Sequence, residues 1–196
     1  MQRPASTEYH PNYQKYFDLV KPGTFPETLQ RNTTETVRLF EGIPDDKHNY
    51  RYAEGKWTIK EVLQHIIDTE RVFSYRGLAA ARGDETPVYR MDEELYASNV
   101  EVSNRTLSSL IDEFKTVRRA SEYLFSNLTE QQSMRLCNVV THPMTARAIG
   151  FFIIGHAEHH CEIVRQRYLE TAISCSRIPA RTCYELTHVY PSLNES

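Results

Sequence analysis

Four segments of this chain carry apolar residues three and four positions apart, the spacing that places them on one face of an α-helix. The segments cover about residues 26–41, 58–82, 103–125 and 145–170. No stretch alternates polar and apolar residues for long enough to predict a β-sheet. Because each amphipathic helix must bury its apolar face, the pattern predicts an all-α protein built as a four-helix bundle.

Capping residues mark the expected ends of these helices. Thr58 and Glu61 have the spacing of a capping box, so we expect the second helix to begin there. Ser103 is expected to open the third helix, and Thr145 is expected to cap the fourth. Residues 84–100 contain a proline and mixed polar side chains, which predicts a loop with one turn of helix.

The length and composition are those of one globular domain. The chain has 196 residues, of which 40% are hydrophobic and 25% are charged, and these values are ordinary for a globular protein. We expect the bundle to occupy residues 1–170. The helical periodicity fades in residues 171–196, which predicts a loosely ordered C-terminal extension.

Charge and cysteine spacing exclude several functional classes. The net charge of -3 gives no electrostatic support for binding nucleic acid or an anionic membrane. No apolar run approaches the ~20 residues that span a bilayer, and the N-terminus lacks the apolar core of a secretory signal. The four cysteines have no CxxC spacing. These features predict a cytoplasmic protein with reduced thiols.

Two histidines lie in the middle of the apolar face of the fourth predicted helix. His156 and His160 are four residues apart, so they lie one turn from each other on the face that carries Phe152 and Ile153. An imidazole on an apolar face needs a partner. A metal ion supplies one, because neutral imidazole is a common ligand of transition metals. A hydrogen-bonded core histidine is the alternative at each position.

A third histidine lies on the second predicted helix. If that helix faces the fourth, His65 completes a set with His156 and His160, and three protein ligands leave room for water or substrate, as in catalytic metal sites. Ala157 occupies the position of the general base in HExxH zinc proteases, and Glu158 is rotated a further ~100° around the helix. We therefore expect activation of water or of a thiol instead of protease chemistry.

We expect two carboxylates near these three histidines to have structural roles. Glu70 projects onto the apolar face, so we expect a buried ion pair with an arginine such as Arg147 or Arg165 in preference to a catalytic base. Asp68 is close enough in sequence to orient the ring of His65, but a solvated helix face is the favoured interpretation.

The remaining histidines and one cysteine are also expected to be structural. His159 lies beside the apolar stripe, where it either donates a hydrogen bond to a ligand histidine or sits on the flank of the helix. Cys161 is interpreted as a small packing residue. The histidines expected on the surface are His10, His48, His142 and His188.

Two motifs of the chain resemble a known family. Residues 55–66 read GKWTIKEVLQHI, which is similar to the GKWS-x-x-E-x-x-x-H signature of DinB-like, YfiT-like proteins, and residues 155–160 read GHAEHH. The resemblance covers roughly residues 9–170. It implies a four-helix bundle with up-down-down-up topology and a divalent metal ion held by three histidines. The corresponding residues in this chain are His65, His156 and His160.

The resemblance implies a class of chemistry without choosing one reaction. Members are described as metal-dependent hydrolases, and related bundles include thiol S-transferases that use bacillithiol and isomerases that depend on mycothiol. It therefore implies a small-molecule substrate and either hydrolysis or transfer of a low-molecular-weight thiol. Zinc, nickel, manganese and iron are all compatible with three imidazoles. The alternative is a non-catalytic bundle in which the metal or the histidine cluster is structural, and open bundle faces would suit a homodimer.

Overall fold

The computed structural model describes residues 1–139 and 142–169, and these residues are predominantly helical. Its α-helices are α1 (Gln14–Asp18), α2 (Phe25–Glu41), α3 (Ile59–Arg82), α4 (Glu93–Asn99), α5 (Leu107–Ser126), α6 (Glu130–Ser133) and α7 (Ala146–Ile163). A π-helix over Val164–Leu169 continues α7, and short 3-10 helices cover Ser6–Glu8, Pro11–Tyr13 and Asp45–Lys47. Two short antiparallel strands, β1 (Leu136–Cys137) and β2 (Met144–Thr145), precede α7.

The predicted capping box at the start of α3 is confirmed. The Thr58 hydroxyl accepts a hydrogen bond from the backbone N–H of Glu61 at 3.2 Å, and the Glu61 carboxylate accepts one from the N–H of Thr58 at 2.6 Å. Gly83 ends the helix with φ at 74°, a conformation that glycine adopts without strain. Thr145 caps α7, also as predicted, by accepting from the N–H of Ala148.

The predicted start of the third long helix is wrong. The helix begins at Leu107, after the cap residue Thr106, and not at Ser103. The carbonyl oxygens of Ser103 and Arg105 accept hydrogen bonds from the buried Lys60 ammonium at 3.2 and 3.1 Å. Because these carbonyls point at Lys60, they are not directed along a helix axis.

The connection between the second and third long helices is more ordered than predicted. Residues 84–100 contain α4, which has seven residues and is capped by the carboxylate of Asp92. This is about two turns of helix, where the sequence pattern predicts one. Val88 forms a β-bridge with Val139, and Met91 is buried. The connection therefore lies against the bundle.

Side-chain contacts define the direction of each long helix. The diagnostic pairs are Phe25–Phe151 and Asn32–Glu158 between α2 and α7, Glu70–Arg118 and Gly77–Phe125 between α3 and α5, and His65–His156 and Phe73–Phe152 between α3 and α7. Residue numbers rise together in the first two helix pairs, so those helices are parallel, whereas α3 and α7 are antiparallel. The bundle has the predicted up-down-down-up order.

A layer of polar side chains crosses the core at mid-height. The Arg118 guanidinium donates to Glu70 at 2.9 Å and to Asn32 at 2.9 Å, and Asn32 donates to Glu158 at 3.1 Å. Apolar clusters fill the bundle on both sides of this layer. Glu70 is buried in an ion pair, as predicted, but its partner is Arg118.

The two arginines that were predicted as partners of Glu70 bind other carboxylates. Arg147 pairs with Glu8 at 2.6 Å, and Arg165 pairs with Glu158 at 3.0 Å. Glu70 pairs with Arg118 instead because α3 and α5 pack in parallel, which brings Arg118 to the level of Glu70.

Two further sequence expectations concern membrane-spanning helices and the C-terminal residues. No helix in residues 1–139 or 142–169 is both long enough and apolar enough to cross a membrane. The expected C-terminal extension, residues 171–196, lies outside the described residues, and so does His188.

Candidate metal centre

Three imidazole rings from two facing helices converge at one level of the bundle. His65 lies on α3, and His156 and His160 lie on α7. The ring centroids are 4.6 to 5.0 Å apart, and one nitrogen from each ring lies within 4.8 Å of the others. The Nε2 atoms of His65 and His156 are 3.2 Å apart. The structure thus brings together the pair singled out by its spacing, His156 and His160, and His65 from the facing helix.

Burial keeps these imidazoles neutral. His156 is buried, and His65 and His160 are half-buried. Burial lowers the pKa of His65 to about 4. Burial, followed by the repulsion of neighbouring histidines, lowers the pKa values of His156 and His160 well below their ordinary range. A neutral imidazole has a free nitrogen lone pair, which is the form that binds a metal ion.

The donor set fits a divalent transition metal. Two nitrogen ligands of a tetrahedral ion with bonds of 2.0–2.1 Å lie roughly 3.4 Å apart. The separation of 3.2 Å between His65 Nε2 and His156 Nε2 is close to this value. The same separation also suits a hydrogen bond between two neutral rings. The geometry is thus compatible with a metal site and with a hydrogen-bonded histidine pair.

Aromatic rings surround the three imidazoles. The Trp57 ring lies 4.7 Å from the His65 ring, and the rings of Tyr16 and Phe152 lie 5.7 and 5.6 Å from the His156 ring. Phe152 was expected on the same helix face as His156, whereas Trp57 and Tyr16 were assigned no role at the site. The local signal for Trp57 was its position directly before the capping box that starts α3.

A pocket opens beside one of the histidines. It lies between the first turns of α3 and helix α4, and it reaches the ring of His65. Its walls are formed by Trp57, Glu61, His65, Asp68, Met91, Tyr96, Ala97 and Val100. One edge of the His65 ring is therefore accessible from this side of the bundle.

The two carboxylates in this pocket already have partners. Glu61 caps α3 and pairs with Arg51 at 3.3 Å. Asp68 accepts hydrogen bonds from Gln64 at 2.9 Å and from Arg71 at 3.2 Å. No hydrogen bond joins Asp68 to His65 among the described residues, in agreement with the favoured interpretation.

Glu158 and Cys161, two neighbours of the histidines on α7, point away from the cluster. Glu158 bonds to Asn32 in the polar layer, which agrees with its predicted rotation. Cys161 is buried against the Thr36 hydroxyl, and burial raises the pKa of its thiol to about 11, so it is a packing residue as predicted. His159 is half-buried beside the Tyr16 ring at 5.3 Å.

The histidines predicted to lie on the surface are more enclosed than expected. His10, His48 and His142 are each half-buried. The His10 and His142 ring centroids are 4.1 Å apart, and a ring nitrogen of His48 lies 3.1 Å from the carbonyl oxygen of Ile43. None of the three contacts the candidate metal centre.

Comparisons with known proteins agree with this architecture. A family model described as the DinB superfamily matches residues 28–164. A protein of Oceanobacillus iheyensis named "Putative metal-dependent hydrolase OB0413" is 27% identical over 139 residues, which cover 68% of this chain and 79% of that protein.

A solved structure matches over most of the chain. It is YfiT from Bacillus subtilis, described as "a probable metal-dependent hydrolase with an unusual four-helix bundle topology". The TM-score is 0.65 at 18% sequence identity, and the match covers 88% of this chain and 93% of YfiT. At this identity the match shows the fold alone. Because the family model spans more than half of the sequence, this chain belongs to the DinB superfamily.

Proposed function

We propose that this protein is a metal-dependent hydrolase that binds one divalent ion through His65, His156 and His160 and acts on a small molecule. The convergence of three neutral imidazoles, one of which also lines a pocket, carries the proposal. A purely structural metal site has no need of access from outside. The names of the similar proteins from Oceanobacillus iheyensis and Bacillus subtilis support hydrolysis as the reaction.

The two helices, the rings packed on the histidines and the pocket each have a defined role in this proposal. The two helices hold the three imidazoles, and Trp57 and Tyr16 pack against their rings and limit the entry of bulk water. A divalent ion bound here would lower the pKa of a coordinated water or thiol and polarise an electrophilic group of the substrate. The pocket between α3 and α4 admits the substrate next to His65.

Two alternatives use the same site. A low-molecular-weight thiol such as bacillithiol would make the protein an S-transferase, because a metal also stabilises a thiolate. A structural ion would make it a non-catalytic bundle. Zinc, nickel, manganese and iron all remain compatible with the three imidazoles.

Metal titration of protein prepared without an affinity tag tests the ligand set. We expect one ion per chain for the wild type and a loss of affinity of at least about 100-fold in His156→Ala. His159→Ala is the matched control, because His159 lies on the same helix and beside the same rings without belonging to the cluster. Full metal content in His156→Ala would refute the assignment of that ligand.

Activity assays separate the three functions. The metal-loaded protein is assayed with a panel of small esters, amides and lactones, and in parallel with electrophiles in the presence of bacillithiol. Turnover without thiol that disappears in His156→Ala supports the hydrolase. Turnover that requires the thiol supports the transferase, and metal binding with no turnover in either assay supports the structural alternative.

A further inference from the structure

One arginine on α3, the helix that carries His65, is buried without an ion-pair partner among the described residues. Arg76 lies on α3 and is 3% exposed. Its guanidinium donates one hydrogen bond, to the carbonyl oxygen of Tyr89 at 2.8 Å, and lies 4.6 Å from the centre of the Phe73 ring. Its Nε atom is buried without any hydrogen-bond partner among the described residues. A buried charge in this condition is costly.

Other enclosed arginines of the same protein are paired. Arg118, 2% exposed, forms an ion pair with Glu70 at 2.8 Å, and Arg147 pairs with Glu8 at 2.6 Å. No carboxylate in residues 1–139 or 142–169 forms such an ion pair with Arg76, although the charge of Glu93 acts on it from a longer distance. The lack of an ion pair therefore distinguishes Arg76 from Arg118 and Arg147.

Arg76 lies on the helix face that also presents His65. Eleven residues separate the two positions, which is about three full turns of an α-helix. Thr69 lies between them on the same face, and its buried hydroxyl oxygen also has no hydrogen-bond partner. Two unsatisfied polar groups thus follow His65 along one line of α3.

Aromatic rings connect Arg76 to the histidines. Phe73, on which the guanidinium rests, stacks on Phe152 with ring centres 4.2 Å apart. Phe152 in turn lies 5.6 Å from the His156 ring and 5.2 Å from the Tyr13 ring. Along the interface between α3 and α7, imidazoles therefore lie at one end, stacked aromatic rings in the middle and a cation at the other end.

The connection 84–100 contacts Arg76 and also borders the pocket. Tyr89 supplies the carbonyl group on Arg76, and Met91 and Tyr96 line the pocket next to His65. A ligand that enters beneath α4 would meet the same segment that now satisfies one N–H group of Arg76.

We propose that Arg76 binds a carboxylate group of the substrate while the reacting group of that substrate lies at the three histidines. The proposal rests on the proposed function, and it defines the substrate as an acid with an apolar or aromatic middle. Thr69 would donate to a polar atom between the two ends. A guanidinium pairs with a carboxylate through two parallel hydrogen bonds, which gives direction as well as affinity.

Hydroxamic acids with a carboxylate tail test this proposal directly. The hydroxamate binds the metal, and a series of increasing chain length places the tail carboxylate at increasing distances from it. With metal-loaded wild type, calorimetry should show an optimum length at which the acid binds at least about tenfold more tightly than its methyl ester. Equal affinities of acid and ester at every length would overturn the proposal.

Variants separate recognition from a structural role. Arg76→Met should reduce the preference for acid over ester to less than about twofold, and Arg76→Lys should retain part of it. Arg71→Met is the matched control on the same helix, because Arg71 is exposed and pairs with Asp68 and Glu113. A merely structural arginine would change thermal stability in Arg76→Met without changing the ratio of the two affinities.

A second measurement is independent of the metal. Metal-free wild type should be stabilised against thermal unfolding by hexanoate and not by hexanol, and Arg76→Met should abolish the difference. Failure of every hydroxamate to bind would contradict the proposed metal site, whereas the anion would still stabilise the protein if Arg76 is a carboxylate site. Equal effects of hexanoate and hexanol would reject the role of Arg76.

Discussion

Buried charges show how single residues stabilise this protein. Arg118 donates to both Glu70 and Asn32, so one guanidinium joins three helices at the polar layer. Its charge is compensated by a carboxylate that is itself 2% exposed. The desolvation cost of such a pair is offset only while both members are present. Removal of one member therefore destabilises more than removal of both.

The substitution Glu70→Gln tests whether Arg118 depends on its carboxylate partner. It leaves the Arg118 charge buried without a counter-ion, and we expect the free energy of unfolding to fall by about 3–5 kcal/mol. Urea unfolding measures the change. The double variant Glu70→Leu, Arg118→Leu should lose less, because no uncompensated charge remains.

An exposed ion pair supplies the control for that experiment. Arg119 and Glu122 are 2.6 Å apart, but their side chains are 59% and 38% exposed. Glu122→Gln should change the free energy of unfolding by less than about 0.5 kcal/mol. If Glu70→Gln lowered the free energy of unfolding as little as Glu122→Gln, the polar layer would not stabilise the fold in the way we infer.

Helix α1 approaches α7 closely at one glycine. A Cβ atom on Gly155 would lie 2.1 Å from the carbonyl oxygen of Tyr16, so any larger residue forces the two backbones apart. Gly155 directly precedes His156, and Tyr16 packs on the His156 ring. The glycine thus allows an element outside the four long helices to cover the candidate metal centre.

At the scale of elements, Gly155→Ala should displace α1. We expect a loss of about 1–3 kcal/mol in the free energy of unfolding, because the contact is with rigid backbone. Gly150→Ala is the matched control on the same helix, since its Cβ would meet the side chains of Met1 and Phe125 at 3.1 Å. Urea unfolding compares the two, and an equal loss in both would contradict a special role for Gly155.

The elements that could be predicted from the sequence are those with local signals. The 3.6-residue period located the long helices, and the caps Thr58 and Thr145 located two of their starts. The start at Leu107 was missed because it depends on Lys60, a residue more than forty positions earlier whose ammonium holds the preceding loop.

Individual partners were predictable only where spacing determined them. The positions of His156 and His160 one turn apart follow from their spacing, and that of His65 required only that two helices face each other. The predicted partner of Glu70 was wrong because the sequence offers several arginines. The choice of Arg118 depends on which helix packs beside α3, which no local pattern encodes.

For the whole molecule, an ion pair between Glu8 and Arg147 links the N-terminal segment to α7. Glu8 accepts hydrogen bonds from Arg147 at 2.6 Å and from the Thr145 hydroxyl at 2.8 Å. Burial alone would raise the pKa of Glu8, but the hydrogen bonds from Arg147, Ala5 and Thr145 outweigh it and lower the pKa below the ordinary value of 4.5.

This lowered pKa predicts the direction of a pH effect on stability. Below pH 4.5 the unfolded chain binds a proton at Glu8 before the folded protein does, so stability is lost as the pH falls through the folded-state pKa. Thermal unfolding between pH 7 and pH 3 should therefore show a smaller acid-induced loss for Glu8→Gln than for the wild type. Glu54→Gln, a substitution of an exposed residue, should show the same acid-induced loss as the wild type. The same loss in Glu8→Gln would show that the ion pair does not contribute to it.

Metal binding should connect the candidate centre to the stability of the whole bundle. His65 belongs to α3, and His156 and His160 belong to α7, so an ion held by all three would cross-link two antiparallel helices in the native state only. An ion at one hundred times its dissociation constant would stabilise the fold by about 2.7 kcal/mol. We expect zinc to raise the melting temperature of the metal-free wild type and a chelator to reverse the increase. His159→Ala should retain this response and His156→Ala should lose it, whereas an equal response in the two variants would place the ion elsewhere.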